Sequence, residues 1–454
     1  MLWTLVRKEI FGQLLNVRFY ISFALACLFL VPATYILAND YGWMHTEYGP
    51  YLTEGLYNPW GLERFWVNRQ IPPLRVLATG LDESLTLRSH NTVSDGPDFG
   101  ESQFVHNPLS DILPHLDFVF FVNMVGSLLA FAFTYDAVSG ERQRGILRLT
   151  MANSISRAVL ILSKFLGSYL SFVISLLPAL IGVVLVLSVL PDVGFGVSDW
   201  KATLWLFVLA LLNIGVFVML GIFASCVTRE PKTTLTALMT IWVLLVLVVP
   251  NFSPFLAAKL HPIPALHQVH ERIKSLSSSR DDEVRKEQEE YVKAHGGDHG
   301  SMSQQEKDEH GAIWLEYRMN LQVKELTQVW EAFFNEMEAQ AKLARYLSLI
   351  SPSAITTYLA SDLSHTGIES EHAFRFAIIR FRREFAANLT RYMQQTGDKT
   401  KLWFVDNKLA PAFVLPRPTI SQVISTHLPQ FIVLVLYGFL CFCGAQITFI
   451  RSAI

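Results

Sequence analysis

Long apolar segments alternate with polar segments along the whole chain. Six of the apolar segments are long enough to cross a bilayer as a helix, which takes roughly 20 residues. They lie near residues 18–38, 116–135, 158–190, 202–227, 233–251 and 428–449. The third is longer than a bilayer requires, so we expect it to begin outside the membrane and to enter it near Leu166. The pattern predicts an all-α polytopic membrane protein with six transmembrane helices.

The segment 1–17 predicts a helix that lies on the membrane surface. Apolar residues recur at helical spacing on one broad face, whereas Arg7 and Lys8 fall largely on the other side. A helix with one apolar and one basic face binds where lipid meets water. The alternative is that this segment extends the first transmembrane helix into water.

Two long polar segments separate the apolar ones. Residues 39–115 are rich in glycine, proline and aromatic residues, which predict short helices, turns and a brief strand. Residues 252–427 have helical periodicity, which predicts an antiparallel helical hairpin as far as about residue 347 and a further helix over about 369–396. We therefore expect a large helical domain between the fifth and sixth transmembrane helices.

Basic residues predict the orientation, because loops that stay in the cytosol carry an excess of Lys and Arg. If all six helices insert, four basic segments share one side: Arg7, Lys8 and Arg18; Arg142, Arg144, Arg148 and Arg157; Arg229 and Lys232; and Arg451. The segment 39–115 is more acidic than basic. Both termini and residues 136–157 are therefore predicted to be cytosolic, with 39–115 and 252–427 extracytoplasmic.

Composition supports a membrane protein and excludes several other classes. Hydrophobic residues make up 51% of the 454 residues and charged residues 17%, which is too apolar for an ordinary soluble protein. The net charge of −2 gives no reason to expect nucleic acid as a partner. Apart from Lys164 near one end of the third, the apolar segments contain almost no ionisable groups. That scarcity argues against an ion channel or a proton-coupled pump.

Motifs of catalysis are absent from the sequence. It has no GxxxxGK[ST] phosphate loop, no HExxH and no GxSxG, so we expect neither ATP binding by a phosphate loop nor catalysis in this chain. Two histidines, His267 and His270, are three apart on a predicted helix and are the candidates for sharing a metal ion. Solvated surface histidines are the favoured alternative, so we predict that the chain binds no metal and no cofactor.

The densest charges near the membrane lie in the short polar segment 136–157. We expect a short amphipathic helix there, with apolar residues on membrane or protein and charged residues facing water. A cytosolic protein could bind such a surface, and a solvated loop is the alternative. The apolar residues are Ile146, Leu147 and Leu149, and the charged ones are Glu141, Arg142, Arg144 and Arg148.

The string DAVSGERQRGILRL at 136–149, followed by NSISR at 153–157 and by Lys164, resembles the signature of ABC-2 type ABC transporter permeases. The string VRKEI at 6–10 also looks like the start of that family. Three further strings resemble its subgroup with a large extracytoplasmic loop, which is similar to permeases of copper-enzyme-maturation and gliding systems. They occupy 72–85, 350–368 and 428–452.

The resemblance implies a permease with six transmembrane helices and cytosolic termini in a bacterial inner membrane. It implies a dimer with a second permease chain, identical or not, and a separate cytosolic ATPase that binds ATP. It assigns Arg7, Lys8 and Glu9 to a connecting helix, and Asp136, Glu141, Arg142, Arg144, Gly145 and Arg148 to a coupling helix. Simple permeases of this kind have a short loop where this chain has residues 252–427.

The sequence leaves three hypotheses on function. The chain is a permease subunit that couples ATP hydrolysis by the partner to export. Alternatively, it transmits motion to a periplasmic or outer-envelope partner through residues 252–427, with little or nothing crossing the membrane. A third hypothesis is a membrane scaffold or receptor without energy coupling.

Overall fold

Six helices among the described residues are long and apolar enough to cross a membrane. The structure is a computed structural model that describes residues 2–48, 64–81, 86–92, 97–102, 116–152, 155–190, 194–307, 309–311, 317, 325–396, 413–415 and 417–451. In chain order the principal helices are α1 (Leu2–Leu14), α2 (Val17–Tyr48), α3 (Phe118–Phe120, Phe121–Gly126 and Ser127–Thr134 in succession), α4 (Ser139–Gln143), α5 (Ile146–Ala152), α6 (Arg157–Val189), α7 (Val197–Val227), α8 (Pro231–Trp242, Val243–Val248 and Val249–Leu260 in succession), α9 (Leu266–Ala294), α10 (Thr327–Ser348), α11 (Pro352–Leu363), α12 (Ile368–Thr396) and α13 (Ile420–Arg451).

The six membrane-spanning helices are α2, α3, α6, α7, α8 and α13, which confirms the predicted fold class. Helices α3 and α7 are largely buried inside the bundle, whereas α8 and α13 leave most of their surface open. Helix α7 lies at the centre, since it contacts α3, α6, α8 and α13.

Helix α1 is separate from the first membrane-spanning helix. A turn at Leu15 and Asn16 separates the two helices. Helix α1 packs along α6 with Val6 fully buried. The contact is close because Gly167 on α6 has no side chain: a Cβ there would lie 2.4 Å from Cβ of Glu9. The alternative prediction, that segment 1–17 extends α2 into water, is therefore wrong.

Two membrane-spanning helices contain a π-helical turn, Phe121–Gly126 in α3 and Val243–Val248 in α8. The indole nitrogen Nε1 of Trp242, just before the second turn, donates to Oγ of Ser127, just after the first, at 2.7 Å. Such turns insert one extra residue into a helix and often occur at functional sites. Hydropathy is insensitive to one extra residue and predicted neither turn.

The end of the bundle that carries residues 135–157 is here named the basal end, and the opposite end the domain end. Residues between α2 and α3 form a small antiparallel sheet of β1 (Arg64–Asn68), β2 (Thr86–Thr92) and β3 (Pro97–Ser102), in the order β1-β2-β3. Phe65 pairs with Asn91, and His90 pairs with Asp98. The sequence predicted only a brief strand there.

Helices α9 and α10 form the predicted antiparallel hairpin. Arg280 bonds to Glu325, and His270 contacts Trp330. Lower residue numbers on α9 thus face higher residue numbers on the second helix, so the two run antiparallel. Trp330 and Phe334 pack with Val269 in a small separate core. Helix α10 begins at Thr327; residues 308, 312–316 and 318–324 of the predicted long helix lie outside the described residues, Trp314 and Leu321 among them. Helix α12 matches the predicted 369–396.

Helix α11 joins the hairpin to the membrane-spanning helices. Ten of its twelve residues are buried, and it packs against α7, α13 and both π-helical turns. It begins with an N-cap at Ser351, whose hydroxyl accepts from the backbone N–H of Ala354 at 3.1 Å, and with Pro352 in its first turn. The buried helix α11 thus connects the domain end to the membrane-spanning bundle.

Candidate functional site

Charged and polar side chains from four segments meet at the basal end. These segments are α1 together with the start of α2, the residues that follow α3, the start of α6 and the turn between α7 and α8. The end of α13 joins them, because Arg157 at the start of α6 donates to the backbone oxygens of Phe449 and Ile450 at 2.6 and 2.8 Å. A cation there also offsets the partial negative charge of a helix C-terminus.

Lys164 is the centre of this arrangement. Its Nζ lies 3.2 Å from Oε1 of Glu9 and 2.9 Å from Oε1 of Glu141, and the residue is 1% exposed. A buried ammonium group is costly unless it is paired, and two carboxylates supply that pairing. The three side chains connect α1, α4 and α6. The sequence showed Lys164 as a charge near the end of an apolar segment and as part of the permease signature, but its two partners were not predicted.

Arg18 and Asp136 form a second ion pair, between α2 and the residues that follow α3. Nη1 and Nη2 of Arg18 each lie 2.9 Å from one carboxylate oxygen of Asp136. The guanidinium also donates to the hydroxyl of Tyr135 and to the backbone oxygen of Ala132, both at 2.9 Å. Bidentate pairs of this kind fix orientation as well as distance. Asp136 therefore holds α2 against α3.

Arg142 turns inward, to the end of α7. Its Nη1 donates to the backbone oxygen of Thr228 at 2.8 Å, and both terminal nitrogens lie 3.4 Å from the backbone oxygen of Cys226. The expectation that Glu141 and Arg142 face water is wrong. Glu141 compensates the charge of Lys164, and Arg142 satisfies carbonyl groups that the helix end leaves unpaired.

A hydroxyl cluster holds the same residues from the other side. Oγ of Ser225 accepts from the backbone N–H groups of Val138 and Ser139, both at 3.0 Å. Oγ of Ser139 accepts from the hydroxyls of Ser225 and Thr234 at 3.1 and 3.2 Å. Single serine and threonine residues give no pattern in a sequence, so this cluster was missed.

The exposed tip of the site comprises residues 143–149. Gly145 has a φ of +74°, a conformation that glycine adopts at no steric cost, and it separates α4 from α5. The predicted single helix is therefore two short ones. Arg144 and Arg148 are exposed, whereas Leu147 is buried against the protein. Residues 153 and 154 of the signature lie outside the described residues.

Helix α1 presents the remaining predicted side chains. Arg7 and Lys8 are exposed, and Glu9 turns inward to Lys164. The Arg7 guanidinium lies over the ring of Phe11, 5.4 Å from its centroid. The basal end therefore offers basic side chains on α1 and on the exposed tip, above a layer of ion pairs that includes the buried Lys164.

The two candidate metal-binding histidines are not brought together with a third ligand within the described part of the chain. His267 and His270 are both exposed on α9, and the ring of His270 packs edge-on to Trp330 at 5.6 Å.

Comparison with known proteins identifies a family. A family model described as ABC-2 family transporter protein matches residues 80–442, which include most of the site and all of α3 to α12. A search of curated proteins finds no significant match to the chain. The family match does not extend to a subgroup, so the resemblance to the large-loop subgroup stays a prediction. With its six membrane-spanning helices, the chain belongs to the ABC-2 family of transporter proteins and is a multi-pass membrane component of an ABC transporter.

Proposed function

We propose that this chain is the permease subunit that couples ATP hydrolysis by a separate cytosolic ATPase to movement in the membrane and at the domain end. The observation that carries the proposal is the exposed tip, residues 143–149, set directly on a layer of ion pairs that includes the buried Lys164. The tip offers Arg144 and Arg148 to a partner. The layer beneath it joins the tip to the helices that would have to move.

The ion pairs make the basal end suited to transmitting a push. Glu141 and Arg142 lie directly before the tip in the chain and bind α6 and α7 respectively. Removing one partner of a buried ion pair typically costs about 3–5 kcal/mol, so the contact of Glu141 with the buried Lys164 resists sliding. The hydrogen bonds of Arg142 to the end of α7 act in the same sense. Close-packed protein interiors also transmit strain. A displacement of the tip therefore moves α6, α7 and, through Glu9, α1 together.

Charge supports a cytosolic basal end. The segments at that end carry basic residues beyond the ion pairs, among them Arg7, Lys8, Arg144, Arg148, Arg229, Lys232 and Arg451. An excess of Lys and Arg marks the cytosolic side. We accordingly place both termini in the cytosol of a bacterium and residues 252–427 outside its inner membrane. A second permease chain would cover part of the apolar surface that α8 and α13 leave open.

The domain end supports the second version of the function, in which motion acts on an extracytoplasmic partner. Helix α11 is buried among α7, α8 and α13 and continues into the hairpin and α12. Any rearrangement of the membrane-spanning helices would therefore move the hairpin and α12. Export and mechanical action share the coupling step and differ in whether a substrate or only the motion reaches the far side of the membrane.

The test is co-purification from native membranes with the wild type and with Arg144→Glu/Arg148→Glu. These arginines are exposed, so the double variant reverses the charge of the tip without touching the buried ion pairs. Arg285→Glu/Lys293→Glu on α9 is the control, with the same charge change on exposed side chains at the domain end. We expect an ATP-hydrolysing protein to accompany the wild type and the control, and at least tenfold less of it to accompany the tip variant.

The proposal is wrong if no ATPase accompanies the wild type, or if the tip variant retains as much ATPase as the control. The first outcome would favour a scaffold or receptor without energy coupling. The second would mean that the partner binds elsewhere on the chain.

A further inference from the structure

Three side chains from three helices converge at the domain end. Asp362 lies near the end of α11, Glu369 near the start of α12 and His427 in the first turns of α13. Their ligand atoms all lie within 4.8 Å of one another. We propose that Asp362, Glu369 and His427 bind a divalent transition-metal ion of the zinc class, which ties residues 252–427 to the last membrane-spanning helix. The inference does not depend on the coupling function.

The distances in this cluster fit metal ligands better than an ion pair. Nε2 of His427 lies 3.4 Å from Oδ2 of Asp362 and 3.4 Å from Oε2 of Glu369. A charge-assisted hydrogen bond from a protonated histidine would be about 2.7–2.9 Å long. Ligand atoms at about 2.0–2.1 Å from a tetrahedral zinc ion lie about 3.3 Å apart. The two histidine–carboxylate separations are close to the second value, and the two carboxylate oxygens lie within 4.8 Å of each other.

Two further side chains contact the three ligands. Arg345 lies 2.9 Å from Oε1 of Glu369, the oxygen that does not face His427. On Asp362 it lies 2.7 Å from Oδ2, the same oxygen that faces His427, which leaves Oδ1 without a donor in the described part of the chain. Oε1 of Gln430 lies 3.0 Å from Nδ1 of His427. If Nδ1–H donates to Gln430, the lone pair of Nε2 faces the two carboxylates. Outer contacts of this kind orient the ligands of bound metals.

Arg345 also defines the rival arrangement. Its Nη1 lies 3.2 Å from Nδ1 of His427. In the other tautomer Nδ1 accepts from Arg345, and Nε2–H then points at the carboxylates without any metal. Zinc titration separates the two arrangements, because only the first leaves a lone pair for the ion.

An unsatisfied atom and a cavity provide the independent support for a ligand. Asp362 is 6% exposed, and its Oδ1 has no hydrogen-bond partner among the described residues. A buried carboxylate oxygen without a donor is costly. This oxygen lies beside Gly367. Asp362, Glu369 and Gly367 line an adjoining cavity of about 140 Å³, which Arg417 also lines. The cavity has room for water molecules to complete the coordination of an ion.

The charge of the cluster fits a divalent cation. Within the cluster itself, two carboxylates and the Arg345 guanidinium leave a net charge of −1 when the imidazole is neutral; Arg417, on the wall of the adjoining cavity, lies outside this count. One imidazole and two carboxylates form a ligand set that zinc and similar first-row ions accept. Calcium and magnesium prefer oxygen ligands alone, so a zinc-class ion suits the set better.

The test is zinc binding to the full-length protein, purified in detergent, stripped with a chelator and titrated with Zn²⁺ by calorimetry. We expect about one ion per chain in the wild type and binding at least tenfold weaker in Glu369→Gln. Glu336→Gln is the matched control: Glu336 has the same 53% side-chain exposure as Glu369 and pairs with His261 instead. The double variant His267→Gln/His270→Gln should also bind zinc as the wild type does.

His427→Gln gives a second check, with Co²⁺ as a visible probe. We expect the absorption bands of tetrahedral Co²⁺ in the wild type and their loss in this variant, while Glu336→Gln retains them. The proposal is overturned if the wild type binds no more zinc than Glu369→Gln. It is equally overturned if zinc binding is lost only in His267→Gln/His270→Gln.

Discussion

At the scale of single residues, Lys164 determines how the basal end holds together. It joins α1, α4 and α6 through two carboxylates, at 3.2 and 2.9 Å. Its ammonium group is buried, so neither carboxylate can be replaced by water without cost.

We predict that Lys164→Met destabilises the protein by about 3–5 kcal/mol, because it leaves Glu9 and Glu141 facing each other without the cation. Lys232→Met is the control, since Lys232 is exposed in the same region. Thermal unfolding in detergent measures both. If the melting temperature falls no further in Lys164→Met than in Lys232→Met, the ion pairs of Lys164 do not stabilise the fold.

His365 predicts a dependence of stability on pH. Burial, assisted by the charges of Arg417 and Arg69 and opposed by Asp199, lowers the pKa of His365 to about 4. An unfolded histidine titrates near about 6.5. As the pH falls from about 6.5 to about 4, the unfolded state takes up the proton first, so the folded state loses stability in this window.

We predict that His365→Asn reduces this loss. Asparagine tolerates the φ of +58° at this position and carries no titrating group. The measurement is the fall in melting temperature between about pH 7 and about pH 5 in both proteins, which cancels the effect of the other titrating groups. An equal fall in the two proteins would contradict the assignment to His365.

The residues of the exposed tip could be identified from the sequence, but their partners could not. Arg144, Gly145 and Arg148 stand in a recognisable string. Lys164 and Glu9 are 155 positions apart, and only the packing of α1 on α6 brings them together. For the same reason, the sequence could not show that Arg142 turns inward to the end of α7.

At the scale of elements, the contact between α1 and α6 depends on a missing side chain. We predict that Gly167→Ala displaces α1, since the new Cβ would lie 2.4 Å from Cβ of Glu9. Overpacking of this size typically costs about 1–3 kcal/mol.

Gly438→Ala on α13 is the matched control for that change. Nothing lies within 4 Å of a Cβ at Gly438, and alanine favours a helix over glycine by about 1 kcal/mol. We expect thermal unfolding to show a loss of stability in Gly167→Ala and no loss of stability in Gly438→Ala. Equal behaviour of the two variants would mean that α1 does not pack closely on α6.

Element prediction succeeded where hydropathy alone decides and failed where packing decides. The six apolar segments all became helices, because a segment in lipid must satisfy its own backbone groups. Helix α11 was not predicted, because it is buried on nearly all sides and so shows no apolar stripe. Ser351 and Pro352, an N-cap followed by proline, were the signal that could have located its start.

At the scale of the whole molecule, buried contacts connect the two ends of one bundle. The basal end joins the tip to α1, α6 and α7, and α11 joins α7, α8 and α13 to the domain end. The sequence placed four basic segments on one side of the membrane from their charge. In the structure these segments lie at one end of the bundle, where Lys164, Arg18, Arg142 and Arg157 connect them. Which residues a partner touches depends on a second protein, and no pattern within one chain predicts it.

Photo-crosslinking in native membranes tests most directly whether the tip receives an ATPase. A photoreactive phenylalanine derivative replaces Leu149 on the tip or, as a control, Tyr346 on α10; the two are 72% and 68% exposed. We predict that Leu149 crosslinks to an ATP-binding protein, identified by mass spectrometry, and that Tyr346 does not. If Leu149 captures no ATP-binding protein, or if both positions capture the same one, the tip is not the surface that receives the ATPase.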